Sequence, residues 1–332
     1  MSAAARNEEN KYLVILGSGY SGSGAIYDYL SGVKGFYPAL SGHEFRLIHE
    51  PGGLNELYEA ISSGFHPNRA NDAIYRFKRL AHRCSNSRKA MRRGLGYAES
   101  ILNYQEKIES YLRDILLMSY EGLPWVGLAD KGRLRVYTIG LIRKLYAFFG
   151  VKKPCGSMYV PIEEKQFLDK TRSLIDELLS TYRQIKLPDD FLLVNQGGSF
   201  WRPEESTFLY RSRKILVVTR DPRDIYAEFK LKGFAYPGDN VSNFCCWYAS
   251  MMARRKKVWD SGLVSEVSFE DFVRGRECEF TNLSEFLSKD LRSSSYDLSK
   301  SRKNVGKYKK TLNHLEIGEI ESSLAEYIWK GE

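Results

Sequence analysis

An α/β fold built on a central parallel sheet flanked by helices, plus a helical insertion, follows from three features of the sequence. A glycine-rich turn directly succeeds a short apolar run, a second apolar run passes at once into a helix start, and a long charged stretch of helical periodicity lies between them. Residues Tyr12 to Leu16 form the first run, GSGYSGSG stops it, and Ala25 to Leu30 continue as a helix that Ser31 and Gly32 interrupt. That order is strand, turn, helix.

The second unit centres on Lys214 to Thr219, which is β-branched and nearly continuous in apolarity, as a strand covered on both faces must be. Its helix has a sharp start: Asp221 caps it, Pro222 sits where a missing amide proton costs nothing, and Asp224 at the third position closes a capping box. Phe191 to Val194, ending in Asn195-Gln196-Gly197-Gly198, reads as a third parallel strand, and Leu263 to Phe269 as a fourth.

Between about residues 65 and 185 the chain turns rich in Lys, Arg and Glu. Tyr97 to Tyr120 carries Ile101, Tyr104, Ile108, Leu112 and Ile115 at steps of three or four, which predicts one helix with one buried stripe; Phe167 to Tyr182 and Gly140 to Phe149 repeat the pattern. The expected organisation is a single domain over 1–332, with a core at 12–64 and 186–332 and the helical insertion between them. A helix over Leu283 to Leu291, a basic loop at 300–310 and a closing helix from about Glu316 to Trp329 complete it.

Composition bounds the function classes. With 332 residues, 43% hydrophobic and 27% charged, the chain buries roughly three-quarters of its extended surface and needs no staple. Its five cysteines, Cys84, Cys155, Cys245, Cys246 and Cys278, form no CxxC pair, which argues against a disulfide framework or zinc knuckle. No apolar run approaches the roughly 20 residues that cross a bilayer, so a cytoplasmic, reducing location is expected. The net charge of +9 raises affinity for any polyanion, yet the cations cluster at 88–93, 253–258 and 300–310 beside an enzyme-like turn, not in a nucleic-acid-binding module. A homo-oligomer is compatible with all of this.

The turn Gly17-Ser18-Gly19-Tyr20-Ser21-Gly22-Ser23-Gly24 has four glycines in eight residues, so several backbone N–H groups can point inward at a helix start and hold a phosphate-type anion, with Ser21 and Ser23 adding hydroxyls. A nucleoside triphosphatase or kinase loop, GxxxxGK[ST], is not met, because Ser23 and Gly24 stand where the lysine and the magnesium hydroxyl belong. Gly17, Gly19 and Gly22 satisfy GxGxxG literally, but Glu44 comes late for the acidic residue that a dinucleotide fold places about 20 residues on. Arg220 ends a buried strand at the ligand-binding edge of the sheet and, with Arg223, offers bidentate contacts to a second phosphate; the bland reading is an ion pair of Arg220 with Asp224. The loop 300–310, with six positive residues, is a third anion device.

The segments LGSGYSGSGAIYDYL, KILVVTRDPRDIYAEF, SFEDF and SRKNVGKYKK, spread from about residue 12 to 310, resemble those of the sulfotransferases that use 3'-phosphoadenosine 5'-phosphosulfate. The resemblance implies a P-loop-like core and transfer of a sulfuryl group to a hydroxyl or amine of a carbohydrate or small metabolite, with adenosine 3',5'-bisphosphate as product and no metal. It implies that the 5'-phosphosulfate sits on Ser18, Gly19, Tyr20, Ser21, Gly22, Ser23 and Gly24, that Arg220 holds the 3'-phosphate, and that the loop of Arg302, Lys303, Gly306 and Lys309 folds over the nucleotide. Glu44 is then the general base, with His43 the next candidate and His49 the third.

Four residues at three places depart from the family pattern. Tyr20 stands where many members have a lysine or arginine that stabilises the bridging oxygen, so another cation, such as Lys309 or Arg302, or a different geometry must do that work. Glu228 replaces a serine beside the 3'-phosphate, and Asn195-Gln196 replace a lysine motif after the strand ending at Val194. A P-loop kinase or other nucleotide-dependent transferase, and a degenerate relative that no longer catalyses, are the alternatives.

Overall fold

Five parallel strands in the order β2-β5-β1-β6-β7 form the central sheet of the computed structural model, which describes residues 11–40, 43–87, 94–122, 132–150, 156–180, 189–232, 236–255, 259–260 and 262–331. Along the first half of the chain run β1 (Lys11–Gly17), α1 (Ser23–Ser31), β2 (Phe36–Pro38), α2 (Leu54–Ile61), α3 (Pro67–Ser85), α4 (Tyr97–Ser100), α5 (Tyr104–Asp114), β3 (Leu116–Gly122), α6 (Arg133–Phe148), β4 (Gly156–Pro161) and α7 (Glu164–Leu179). The second half adds β5 (Phe191–Asn195), α8 (Pro203–Ser206), β6 (Ser212–Thr219), α9 (Pro222–Lys232), α10 (Val241–Arg254), β7 (Val264–Ser268), α11 (Phe269–Arg274), α12 (Glu277–Leu287), α13 (Ser299–Arg302), α14 (Tyr308–Thr311) and α15 (His314–Ser323).

The chain divides into two compact units, one formed by Met1–Arg46 with Tyr182–Glu332 and the other by Leu47–Thr181. In the first, the four strands expected from apolar runs are present and parallel. Tyr12 to Leu16 of β1 and Ile215 to Val218 of β6 are wholly inaccessible, which explains why neither run alternates with polar residues. Period two survives within the burial: Leu13, Ile15, Phe191, Leu193, Leu216 and Val218 share a core with α1, α11 and α12, while Tyr12 packs against Tyr210. The fifth strand, β2, is an edge of three residues ending in Pro38, too short to read as a run and placed where proline is tolerated.

The register fixes where chemistry can gather. Ile15 lies opposite Asn195, Gly17 opposite Val218 and Thr219 opposite Ser268, so the carboxyl ends of β1, β5, β6 and β7 share one edge. Ligands bind at that edge in open parallel sheets.

In the second unit α2, α3, α5 and α7 bury Leu57, Phe77, Ile108, Phe167 and Leu178, and Tyr111 bonds Thr171 through its hydroxyl at 2.8 Å. Here the sequence reading needs correction: Tyr97 to Tyr120 is not one helix. Ile101 is extended, Asn103 adopts a left-handed conformation (φ 55°) and begins α5, and the chain from Leu116 pairs antiparallel with β4 instead. Ile101, Tyr104, Ile108 and Ile115 are nonetheless buried. The stripe marked burial at these four positions, with Leu112 half-buried, whereas continuity was broken by an asparagine able to take positive φ.

Two other boundaries move. The helix expected over Leu283 to Leu291 runs Glu277–Leu287 and stops at left-handed Ser288. The closing helix starts earlier, at His314, behind a capping box of Asn313 and Glu316, and yields to a 3₁₀ turn at Ala325–Tyr327. The basic cluster at 88–93, residues 256–258, Cys155 and the expected helix end at Tyr182 fall outside the described residues. Cys245 is buried and Cys246 exposed, as adjacent residues on one helix require. Among the described residues no helix is long and apolar enough to cross a membrane.

Candidate anion-binding site

At the end of β1 the backbone curls through Ser18 to Gly22, with the Ser21 amide donating to the Ser18 carbonyl at 3.0 Å. Gly22 (φ 86°) opens α1 with no side-chain cap. A side chain there would meet the Phe269 ring as well as backbone strain, so only glycine fits. Gly19 is needed for a different reason: the Tyr236 ring lies 2.7 Å from where its Cβ would stand. The first N–H groups of α1 have no partner within the helix.

Gln196, left-handed at the end of β5 (φ 51°), clamps this turn from below in sequence terms no local reading could supply. Its amide nitrogen donates to Ser23 Oγ at 2.9 Å and its carbonyl oxygen accepts from the Gly17 amide at 3.3 Å. Ser23 is thereby oriented. Ser21 Oγ, by contrast, is buried and makes no hydrogen bond.

Arg220 leaves the end of β6 and reaches across to the turn. Its Nη1 donates to the Tyr20 carbonyl at 2.9 Å and its Nη2 to the Asn304 carbonyl at 2.7 Å, while the guanidinium lies 5.0 Å from the Phe269 ring centroid. Its Nε is buried without a hydrogen-bond partner. Asp224 stands 3.8 Å from Nη2, so the ion pair that the sequence offered as the bland reading is present. The turn near residue 20, the strand end at 220 and the basic loop therefore meet at one guanidinium.

The capping box expected at α9 does not form. Asp221 accepts the Arg223 amide at 2.8 Å as a cap should, but its own amide donates to Glu270, and Asp224 turns instead to the amides of Gly306 and Tyr308, both at 2.8 Å. The reason is burial: Asp224 is 1% exposed, and in that setting two amides and a nearby guanidinium satisfy it better than one cap. Burial pushes its pKa up, and Arg220 with the Tyr308 and Gly306 amides pull the other way. Arg223 is engaged by Asp221 and Glu321, which raise its pKa despite partial burial.

Glu228 is buried at 5% exposure and pairs with Lys307 at 2.7 Å and Lys232 at 2.9 Å. Burial acts to raise its pKa, but the two ammonium groups outweigh it and hold the carboxyl below its ordinary range. Lys232 also lies 4.4 Å above the Tyr20 ring, which Phe229 meets edge-on. A cation thus stands beside position 20 although residue 20 is a tyrosine. In the loop, Arg302 donates through Nε to the Val273 carbonyl, Lys303 is exposed, and Lys309 lines a cavity with Arg223, Arg274 and Trp329.

Glu44 reaches the same sheet edge by backbone pairing. It forms a parallel bridge with Asn195, and the Phe45 amide donates to the Asn195 carbonyl at 2.9 Å. Its carboxylate accepts from Arg46 Nε and Nη2 at 2.8 and 2.6 Å. His43 is half-buried next to it, with its amide on the Leu40 carbonyl. His49 belongs to the other unit. Asp271 ties the fold, accepting from Trp329 Nε1 and pairing with Arg276, and Phe36, Trp201 and Trp247 pack against other rings.

The donor implied by the sequence can be tested against these groups. Ser21 Oγ and Arg220 Nε are both donors, and a buried donor left unmade costs about 1–3 kcal/mol, so the uncapped start of α1 beside them suits an acceptor-only anion. The 5' end of a phosphosulfate nucleotide fits. The 3' end fits in part: Arg220 keeps Nε for it, and Glu228 is neutralised, but Nη1 and Nη2 already serve carbonyls. Sequence reading named Gln196 at the strand end and Lys307 within the basic loop but missed their partners Ser23 and Glu228, and it missed Lys232 and Tyr236 altogether; Lys232 left a local signal, four residues after Glu228.

No family model and no curated protein matches the chain. Among solved structures, it is similar to a sulfotransferase domain from the Synechococcus PCC 7002 olefin synthase, with 14% identity, a TM-score of 0.44, and 96% of this chain and 95% of that one covered. A sulfotransferase domain from the curacin biosynthetic pathway gives 13% identity and a TM-score of 0.39 over 95% of this chain and 98% of that one. Likenesses this distant carry no argument about donor, acceptor or mechanism, which rests on the residues alone.

Proposed function

We propose that this chain is a sulfotransferase that moves a sulfuryl group from 3'-phosphoadenosine 5'-phosphosulfate to a hydroxyl or amine of a carbohydrate or small metabolite. The observation that carries the reading is the span of Arg220 onto the Tyr20 carbonyl, which joins the two anion devices of the sequence beside a buried Ser21 hydroxyl that has no partner. When bound, the donor supplies the electrophilic sulfur and a phosphate leaving group.

The remaining work falls to the chain. Ser18, Gly19, Tyr20, Gly22, Ser23 and Gly24 wrap the anionic end with backbone N–H groups, and Ser21 donates its hydroxyl. Lys232, held over Tyr20 by Glu228, provides the positive charge that a lysine at position 20 provides elsewhere in the family. Arg220 addresses the 3'-phosphate through Nε, and Lys307 cancels the repulsion that Glu228 would otherwise exert on it. Arg302, Lys303, Gly306 and Lys309 cover the nucleotide.

Glu44 takes the acceptor proton, a service worth about 10²- to 10⁴-fold. Arg46 orients the carboxylate at the end of β5, beside the turn that Gln196 clamps. His43 is the reserve candidate. Positioning and charge supply the rest of the rate, as in phosphoryl transfer.

A specific observation favours a second reading, a degenerate relative. Arg220 Nη1 and Nη2 are taken by the Tyr20 and Asn304 carbonyls, as in a purely structural tie. A thermal-shift titration with adenosine 3',5'-bisphosphate, adenosine 5'-phosphate, Mg-ATP and NAD separates the two. The bisphosphate is expected to stabilise most, and Glu44→Gln to cut turnover at least about a hundredfold with labelled donor. Equal response to the mono- and bisphosphate assigns Arg220 to structure, and preference for ATP or NAD, or indifference to all four, removes the sulfotransferase reading.

A further inference from the structure

In the second unit, α6 is exposed in a way no buried or paired helix is. None of its described side chains is buried, and eleven of the sixteen large apolar side chains exposed among the described residues lie between Leu117 and Phe149. Leu134, Tyr137, Leu141, Leu145 and Phe148 recur at steps of three and four, so they form one stripe along a helix about 24 Å long. Each is at least 50% exposed. Ile139 and Tyr146, seven residues apart, are the described positions of the helix with partial cover.

The charge along this stretch of sequence is one-sided. From Lys131 to Lys153 the sequence carries Lys131, Arg133, Arg135, Arg143, Lys144, Lys152 and Lys153, and no Asp or Glu. A second copy of the chain laid on this stripe would bring two uncompensated cationic segments together, and a groove on a partner protein would have to be apolar and strongly acidic at once. An apolar, aromatic stripe on a wholly basic helix matches instead the interface of an anionic bilayer, where the ring and aliphatic groups enter the acyl boundary and the cations meet the headgroups.

We propose that α6 is a membrane-surface helix that seats the chain on anionic phospholipid, independently of what the sheet edge binds. Each cation brought to such a surface raises partitioning about fivefold, so several together give a strongly salt-dependent association. The test is co-sedimentation of the full chain with phosphatidylcholine vesicles, with and without phosphatidylserine.

Binding to the phosphatidylserine vesicles is expected, weakened by salt and reduced at least about tenfold by Leu141→Asp with Phe148→Asp and about fivefold or more by Lys144→Glu. Because these side chains are exposed, circular dichroism and the melting midpoint should not move, and Leu315→Asp, at an exposed position of α15, should bind as the unaltered chain does. Binding that is absent, that ignores phosphatidylserine, or that survives the double substitution overturns the proposal. So does a dimer in sedimentation equilibrium that the double substitution dissolves while vesicles leave the chain in solution.

Discussion

After β1 the chain enters α1 through glycines and serines, and the helix begins with no side-chain cap; after β6 it enters α9 through Asp221 and Pro222, and carboxylates fill the space. Both turns lie on adjacent strands and open toward one edge of the same sheet. At the first, Ser21 Oγ is left without an acceptor, whereas at the second Asp221, Asp224, Glu270 and Glu321 already meet Arg223, Arg220 and the local amides. Identical topology therefore yields an open end and one that carboxylates largely fill, where Arg220 Nε is left over for an anion. What separates them is the supply of carboxylates, which decides how much room for an outside anion each turn keeps.

The carboxylate-filled turn should break hardest. Asp224→Ala removes a buried carboxylate that holds two amides and balances Arg220, and is expected to cost about 3–5 kcal/mol in urea unfolding, with Asp224→Asn costing less. At the open turn Gly22→Ala forces a left-handed residue against the Phe269 ring, at about 2–4 kcal/mol by the same measurement.

Glu270 gives the comparison a pH axis. Burial pushes its pKa to about 7 from 4.5, against the pull of the Asp221 amide. A folded-state value above the unfolded one means that the unfolded chain releases this proton first, so stability falls between about pH 4.5 and about pH 7 and is level above that. Glu279, raised to about 7 mainly by burial, adds a slope of the same sign. Glu270→Gln keeps an acceptor for the Asp221 amide and should remove on the order of 3 kcal/mol of that fall, read from unfolding midpoints across the range.

Ser21→Ala should have the smallest effect on folding and sharpen the contrast most. Deleting a hydroxyl that bonds nothing should leave stability within about 0.5 kcal/mol, while affinity for adenosine 3',5'-bisphosphate drops about tenfold by calorimetry. A stability loss with unchanged affinity would make the first turn as self-sufficient as the second.

Much of this was legible beforehand because it is local. Tyr12 to Leu16, Phe191 to Val194 and Lys214 to Thr219 are apolar runs whose strand character needs no partner to be seen, and the glycine-serine turn announces itself by composition. What stayed hidden depends on distant residues. Gln196 bonds Ser23 across 173 positions and Lys307 reaches Glu228 across 79, and no window of sequence contains either pair. Asp224 misled for the same reason: its spacing from Asp221 is that of a capping box, but the amides it holds come from residues 306 and 308. The sheet of β3 and β4 escaped because exposed Leu117, Met118 and Tyr120 extend a helical apolar spacing past the end of α5.

The central place of β1 has a consequence for biosynthesis. Lys11 pairs with Phe191 on one side and Ser212 on the other, so the strand made first waits for neighbours made some 180 to 200 residues later. At ribosomal speeds of about 5–20 residues per second that is roughly ten to forty seconds during which a largely apolar strand has two open edges. Holdase chaperones and translation rate, more than the final stability of the sheet, should then set how much of this chain reaches its native state.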